Sequence, residues 1–258
     1  MQPDFMKRLA IACCGCLLAG AAYASELSRT IEKVKPSVVG IGSYQKTRSP
    51  AVTFVGTGFV AGDGLSVITN AHVVKNLIQG KDIDNDEMLG IIVGKGDATE
   101  FRRAALLALD ADHDLAHLRI GGAPLPALEL GDSSRVMEGQ AVSFTGFPLG
   151  MVLGLHHVTH RAIVSSLTPI VMPALNSARL DVKMIAQLRK APFVVFQLDG
   201  TAYPGNSGSP VYDPGTGAVV GVINMVFVKG MKEAAISAPS GITYAIPSQY
   251  VRELLQRK

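Results

Sequence analysis

Three separated segments of the chain carry side chains able to do nucleophilic chemistry. The most informative is Tyr203-Pro204-Gly205-Asn206-Ser207-Gly208-Ser209-Pro210. A serine hydroxyl attacks a carbonyl only when a base takes its proton and donors hold the oxyanion that forms. Gly205 lets the backbone fold so that its own N–H and that of Ser207 aim at one spot, and Gly208 leaves room beside the hydroxyl. A plain Gly/Asn/Ser/Pro turn between strands has the same composition. The octapeptide therefore gains its meaning from two partners. Thr69-Asn70-Ala71-His72-Val73-Val74 puts a histidine at a strand end, after the hairpin-like Gly56–Gly64. Asp114 opens the apolar strand Leu115–Ile120, where a buried carboxylate accepts an imidazole N–H. Asp110 and Asp112 are its rivals by position, but both sit in the preceding turn, where solvated Asp is common.

The order His72, Asp114, Ser207 is that of chymotrypsin-like enzymes, not of subtilisins or α/β-hydrolases. An esterase elbow needs G-x-S-x-G between a strand and a helix. Here the second residue after Ser207 is Ser209, and a strand follows. Gly56–Val74, Asp114–Ile120, Leu130-Gly131-Asp132-Ser133, Gly146-Phe147-Pro148-Leu149-Gly150, Pro204–Pro210 and Ala245-Ile246-Pro247-Ser248 together resemble the Do/HtrA branch of the trypsin-like serine proteases. The resemblance extends over nearly the whole chain after residue 24. It implies two perpendicular β-barrels with the site between them, His72 and Asp114 coming from the first and Ser207 from the second. It also implies that Thr201, Val226 and Thr243 line the pocket for the residue before the scissile bond. None is acidic, which argues against a Lys/Arg preference. Ile223 stands where glutamyl endopeptidases carry a pocket histidine, so small or medium apolar residues are expected. The chain departs from the family in having Ser209 where Gly is frequent. Ala174–Lys190 reads as a helical insertion before the nucleophile strand, and no PDZ domain is expected after the protease unit.

The elements that must position these residues are legible as short runs. Val38–Tyr44, Thr53–Val60, Leu65–Thr69, Gly90–Val93, Phe101–Leu109 and Leu115–Ile120 form one set of β-rich runs. Ala141–Thr145, Val158–Ser165, Phe193–Leu198, Pro210–Tyr212, Val219–Phe227 and Ile242–Ile246 form the second. The polar stretch Gly131–Gly139 divides them. The fold class expected is all-β: two six-stranded antiparallel barrels, residues 25–130 and 131–258. Ser25–Val34 has helical spacing, and Ser248–Gln256 is a closing helix with Pro247 near its start.

Composition agrees with a folded domain and excludes several classes. Charged residues are 17%, below the usual quarter, and the formal net charge is +3. No Lys/Arg-rich run appears, so nucleic acid is not an expected partner. Lys7 and Arg8, the apolar run Leu9–Ala22 and Ala22-Tyr23-Ala24 read as a secretory signal peptide, residues 1–24. The run is short of the ~20 residues that span a bilayer, so no stable membrane insertion is expected once it is cut. All three cysteines, Cys13, Cys14 and Cys16, lie inside this segment. The chain after it has no thiol chemistry, disulfide or Cys-ligated zinc site. His156, His157 and His160 lie close in sequence, but no motif sets a carboxylate beside them. No metal or other cofactor is expected. The function expected is an exported periplasmic or secreted serine endopeptidase acting on polypeptides through an acyl-enzyme on Ser207. The alternative is a non-proteolytic binding or chaperone protein on the same scaffold.

Overall fold

The computed structural model describes residues 26–78, 87–95, 98–170, 193–224 and 241–257. The 1–24 leader, the 174–190 segment and Val226 fall outside the described residues. A helix over residues 26–34, α1, enters the first barrel. That barrel contains β1 (Val38–Tyr44), β2 (Val52–Ala61), β3 (Ser66–Asn70), β4 (Met88–Lys95), β5 (Ala98–Asp110) and β6 (Leu115–Ile120). The short helix α2 (Ala71–Ile78) follows β3. The second barrel contains β7 (Ala141–Gly146), β8 (Val158–Ile170), β9 (Phe193–Leu198), β10 (Pro210–Tyr212), β11 (Val219–Asn224) and β12 (Thr243–Pro247). One turn of helix, α3 (Gly150–Leu153), precedes β8, and α4 (Ser248–Gln256) follows β12.

Both sheets are antiparallel and closed, in the orders β1-β2-β3-β6-β5-β4 and β10-β11-β12-β9-β8-β7. In the first, β1 pairs with both β2 and β4, with Val39 opposite Gly58 and Ile41 opposite Ile91. In the second, β7 pairs with β8 and β10, with Phe144 opposite both His160 and Val211. Closure leaves no open edge for a further strand to join. Bulges at Ile41/Gly42, Leu106/Ala108 and Val164/Ser166 bend the long strands around the barrels.

Side-chain alternation along each strand divides the apolar residues among three cores. Val39, Ile41, Val60, Val67, Ile91, Ala116 and Leu118 fill the first barrel. Val142, Phe144, Val164, Phe196, Leu198, Val211 and Ile223 fill the second. A third cluster, including Phe54, Phe59, Ile68, Leu115, Phe147, Tyr212, Val251 and Leu254, joins the barrels to α4. Among the described residues no helix is long and apolar enough to cross a membrane.

Candidate active site

Helix α2 begins at the end of β3, so His72 is the second residue of a helix rather than the end of a strand. Its N-terminal N–H groups need acceptors, and Asp114 supplies two of them. The Asp114 carbonyl accepts from Ala71 N at 3.0 Å, and its Oδ1 accepts from His72 N at 2.8 Å. Asp114 therefore caps the helix that carries His72, with its carboxylate at the positive end of the helix. Asp114 itself has φ +52, in the left-handed region that Asp tolerates better than most side chains. The Asn70 side-chain amide donates to its carbonyl at 3.1 Å.

With the carboxylate fixed in this way, His72 Nδ1 donates to Asp114 Oδ2 at 2.5 Å, and His72 Nε2 lies 3.1 Å from Ser207 Oγ. A third donor reaches Asp114 Oδ2 from the other barrel: Asn224 Nδ2, at 2.9 Å, from the end of β11. Asn224 is fully buried, and it is a site residue that the sequence did not single out. Asp110 and Asp112, the rivals of Asp114, take other roles. Asp110 Oδ1 accepts from the backbone N–H of Asp112 and His113, and its Oδ2 accepts from the His113 ring and from Arg257. Burial pushes the Asp110 carboxyl up. The bonds from His113 and the charges of His113 and Arg257 outweigh it and bring the pKa down to about 2.

The segment around Ser207 is stitched to the first barrel through Thr57. Thr57 N donates to Ser207 O at 2.9 Å, and Thr57 Oγ1 donates to Gly205 O at 2.6 Å. Thr69 Oγ1 in turn donates to Thr57 O at 2.7 Å. Two glycines allow this approach. Gly205 has φ +102, and a Cβ on it would lie 2.3 Å from Phe147 O; one on Gly208, at φ +88, would lie 2.0 Å from Thr57 O. Leu149 N donates to Pro204 O at 2.7 Å and holds that carbonyl against the 147–150 turn. The N–H of Gly205, trans to that carbonyl, points the opposite way. Among the described residues, neither the Gly205 nor the Ser207 backbone N–H has an acceptor.

The sequence-expected pocket residues are partly described. Thr201 is half-buried beside the nucleophile loop. Thr243 is 1% exposed; its hydroxyl donates to Gly200 O and accepts from Ala202 N at 3.0 Å. It thus braces the loop leading to Ser207. His157 and His160 are engaged separately. His157 Nε2 bonds the Val38 carbonyl at 2.9 Å, and His160 stacks on Phe144 at 4.7 Å, where burial lowers its pKa. Among the described residues no three His, Cys, Asp or Glu side chains are grouped to hold a metal ion.

Comparison with known proteins agrees with this fold. The curated relatives include a probable periplasmic serine endoprotease DegP-like of Halomonas elongata, 30% identical over 75% of this chain and 32% of that protein. They also include the mitochondrial serine protease HTRA2 of Bos taurus, 32% identical over 90% of this chain and 43% of that protein. The chain spans about a third to two fifths of the length of these relatives. Among solved structures, the HtrA-type protease AlgW with decapeptide superposes with a TM-score of 0.62 at 20% identity, covering 89% of this chain and 66% of that one. Deg5 gives 0.62 at 23% identity, covering 89% and 92%. Residues 56–222, well over half of the chain, match the trypsin-like peptidase domain, and the chain belongs to that family.

Proposed function

We propose that the chain is an exported serine endopeptidase that cleaves polypeptides by way of an acyl-enzyme on Ser207. The observation that carries this reading is the unbroken line from Asp114 through His72 to Ser207, at 2.5 and 3.1 Å. Ser207 Oγ attacks the peptide carbonyl while His72 Nε2 takes its proton. Asp114 holds the ring in the tautomer that leaves Nε2 free and faces the imidazolium as it forms. The unpaired N–H groups of Gly205 and Ser207 receive the oxyanion. His72 then returns the proton to the leaving amine, and water, deprotonated by the same ring, hydrolyses the ester. Among the described residues, Thr201 and Thr243 bound the pocket for a small or medium apolar residue. Residues 25–130 and 131–258 are the two halves of the protease unit. Export is supported by the Lys7–Ala24 pattern and by a DegP-like relative described as periplasmic.

The test is covalent labelling by a serine-reactive fluorophosphonate, alongside casein hydrolysis. Ser207→Ala abolishes both in a protein that still folds. Asp114→Asn lowers turnover by about 10⁴ because the ring is left in the wrong tautomer. Asp112→Asn has a far smaller effect. Turnover by Ser207→Ala near the parent rate, or the reverse ranking of the two carboxylates, removes the assignment.

A further inference from the structure

The β5–β6 turn, residues 110–114, presents Asp114 to His72, and it is gripped from outside its own barrel. On one side Arg257, just past the end of α4, donates to Asp110 Oδ2 at 2.7 Å. On the other, the Tyr250 ring of α4 stacks on the His113 ring at 3.8 Å and 17°. Phe193, the first residue of β9, meets both rings edge-on, at 4.8 Å from His113 and 5.5 Å from Tyr250. Within the turn, Asp110 Oδ1 accepts from the N–H groups of Asp112 and His113 at 3.0 and 3.1 Å, and Oδ2 accepts from His113 Nδ1 at 2.9 Å.

We infer that α4 is a positioning device for the triad: through Asp110 and His113 it holds the 110–114 turn in the shape that delivers the Asp114 carboxylate to His72. This rests on the triad reading above. Asp114 has φ +52, and a side-chain-bearing residue stays in that region only where its surroundings over-determine it. Its neighbours on the His72 side do part of this work. Among the described residues, Asp110 and His113 tie the turn to partners on α4 and β9.

A helix that served only to cover the barrel would need nothing beyond its apolar face. Val251 and Leu254 already provide that face against Ile68 and Leu115. Asp110, whose side chain is 3% exposed, adds a buried carboxylate to the contact. Such a group is costly unless its partners are fixed in direction, so it makes the contact specific in geometry rather than merely sticky. Four positions separate it from Asp114, so a shift of the turn displaces the triad carboxylate directly.

The experiment compares Arg257→Ala, Tyr250→Ala, Arg257→Lys and Leu254→Ala, all assayed well below their melting temperatures. Leu254→Ala is the control: it removes buried packing of α4 while leaving the Arg257 and Tyr250 contacts with the turn in place. Arg257→Ala and Tyr250→Ala each lower kcat by about tenfold with KM near the parent value, as expected for a misplaced triad group. Arg257→Lys recovers most of the loss. The proton between His72 Nδ1 and Asp114 Oδ2 is expected far downfield in proton NMR, as for a charge-assisted hydrogen bond; it broadens or disappears in the two alanine variants and persists in Leu254→Ala. An unchanged kcat and resonance in Arg257→Ala and Tyr250→Ala overturns the proposal. So does an equal loss in Leu254→Ala, which makes α4 a source of stability alone. Failure of the triad reading looks different: Ser207→Ala then retains turnover, while the resonance, which needs no turnover, still decides the role of α4.

Discussion

At the scale of single residues, Asp114 is where the site is assembled. Its carboxylate takes bonds from His72 N, His72 Nδ1 and Asn224 Nδ2, so three of about four lone-pair directions are filled. Asn224 is the member that comes from the other barrel, and it shares Oδ2 with the imidazole. A hydrogen bond to a charged group contributes ~1.5–3 kcal/mol, which corresponds to roughly 10- to 100-fold in rate if it is lost from the transition state. Asn224→Ala is therefore expected to lower kcat/KM within that range. Asn224→Asp does worse, since it brings a second carboxylate against the first. A parent-like kcat/KM in Asn224→Ala would mean that helix α2 alone holds Asp114. His72, Asp114 and Ser207, which the structure brings within hydrogen-bond reach, were legible because their motifs are distinctive and histidine is scarce, with six in the chain. Asn224 was not, because one Asn at the end of an apolar run carries no pattern, and its partner stands 110 positions away.

At the scale of elements, the strands were legible where alternation or an apolar run met a turn signal. The expected β1, β6, β9 and β10 have the observed bounds. Helix α2 was missed: Val73 and Val74 are β-branched and suit a strand, and the acceptors for the first helical N–H groups are contributed by Asp114, far away in sequence. The interface beneath α4 was equally hidden. His117 on β6 is opposite Ile68 and Ala108, on the face that α4 covers, and is 6% exposed. Burial lowers its pKa, the Arg119 charge adds to this, and Asp63 opposes it. Below the unfolded value of about 6.5 the unfolded chain takes up a proton that the folded chain resists, so this residue costs stability as pH falls. His117→Leu is expected to gain on the parent in urea unfolding between pH 7 and pH 5. A difference that stays constant over this range would mean that His117 ionises freely under the helix.

At the scale of the whole molecule, α1 and α4 each reach across to the barrel they do not adjoin in sequence. Thr30 of α1 donates to Gly215 O in the β10–β11 turn of the second barrel at 3.1 Å. Helix α4, which follows the second barrel, binds the barrel connection through Ser248 Oγ and Arg252, both donating to Gly131 O, and then reaches Asp110 of the first barrel through Arg257. His72, Asp114 and Ser207 lie on the seam that these contacts close, so acid stability and the geometry of these three residues are linked. The Asp110 carboxyl, at about 2, lies below its unfolded value near 3.9, and the sign follows directly. The folded state holds the ionised form more firmly, so the contribution is complete above about pH 4 and is lost as pH falls towards 2. Asp110→Asn keeps an acceptor for the turn but loses the charge that Arg257 meets. Its stability deficit relative to the parent, read by urea unfolding, is expected to be constant from pH 7 to 5, to narrow between pH 4 and 2, and to be smaller in high salt because the Arg257 side chain is 47% exposed. A deficit that does not change between pH 5 and 2 would mean that the Asp110 charge contributes nothing to the Arg257 contact and that only its turn-capping geometry matters.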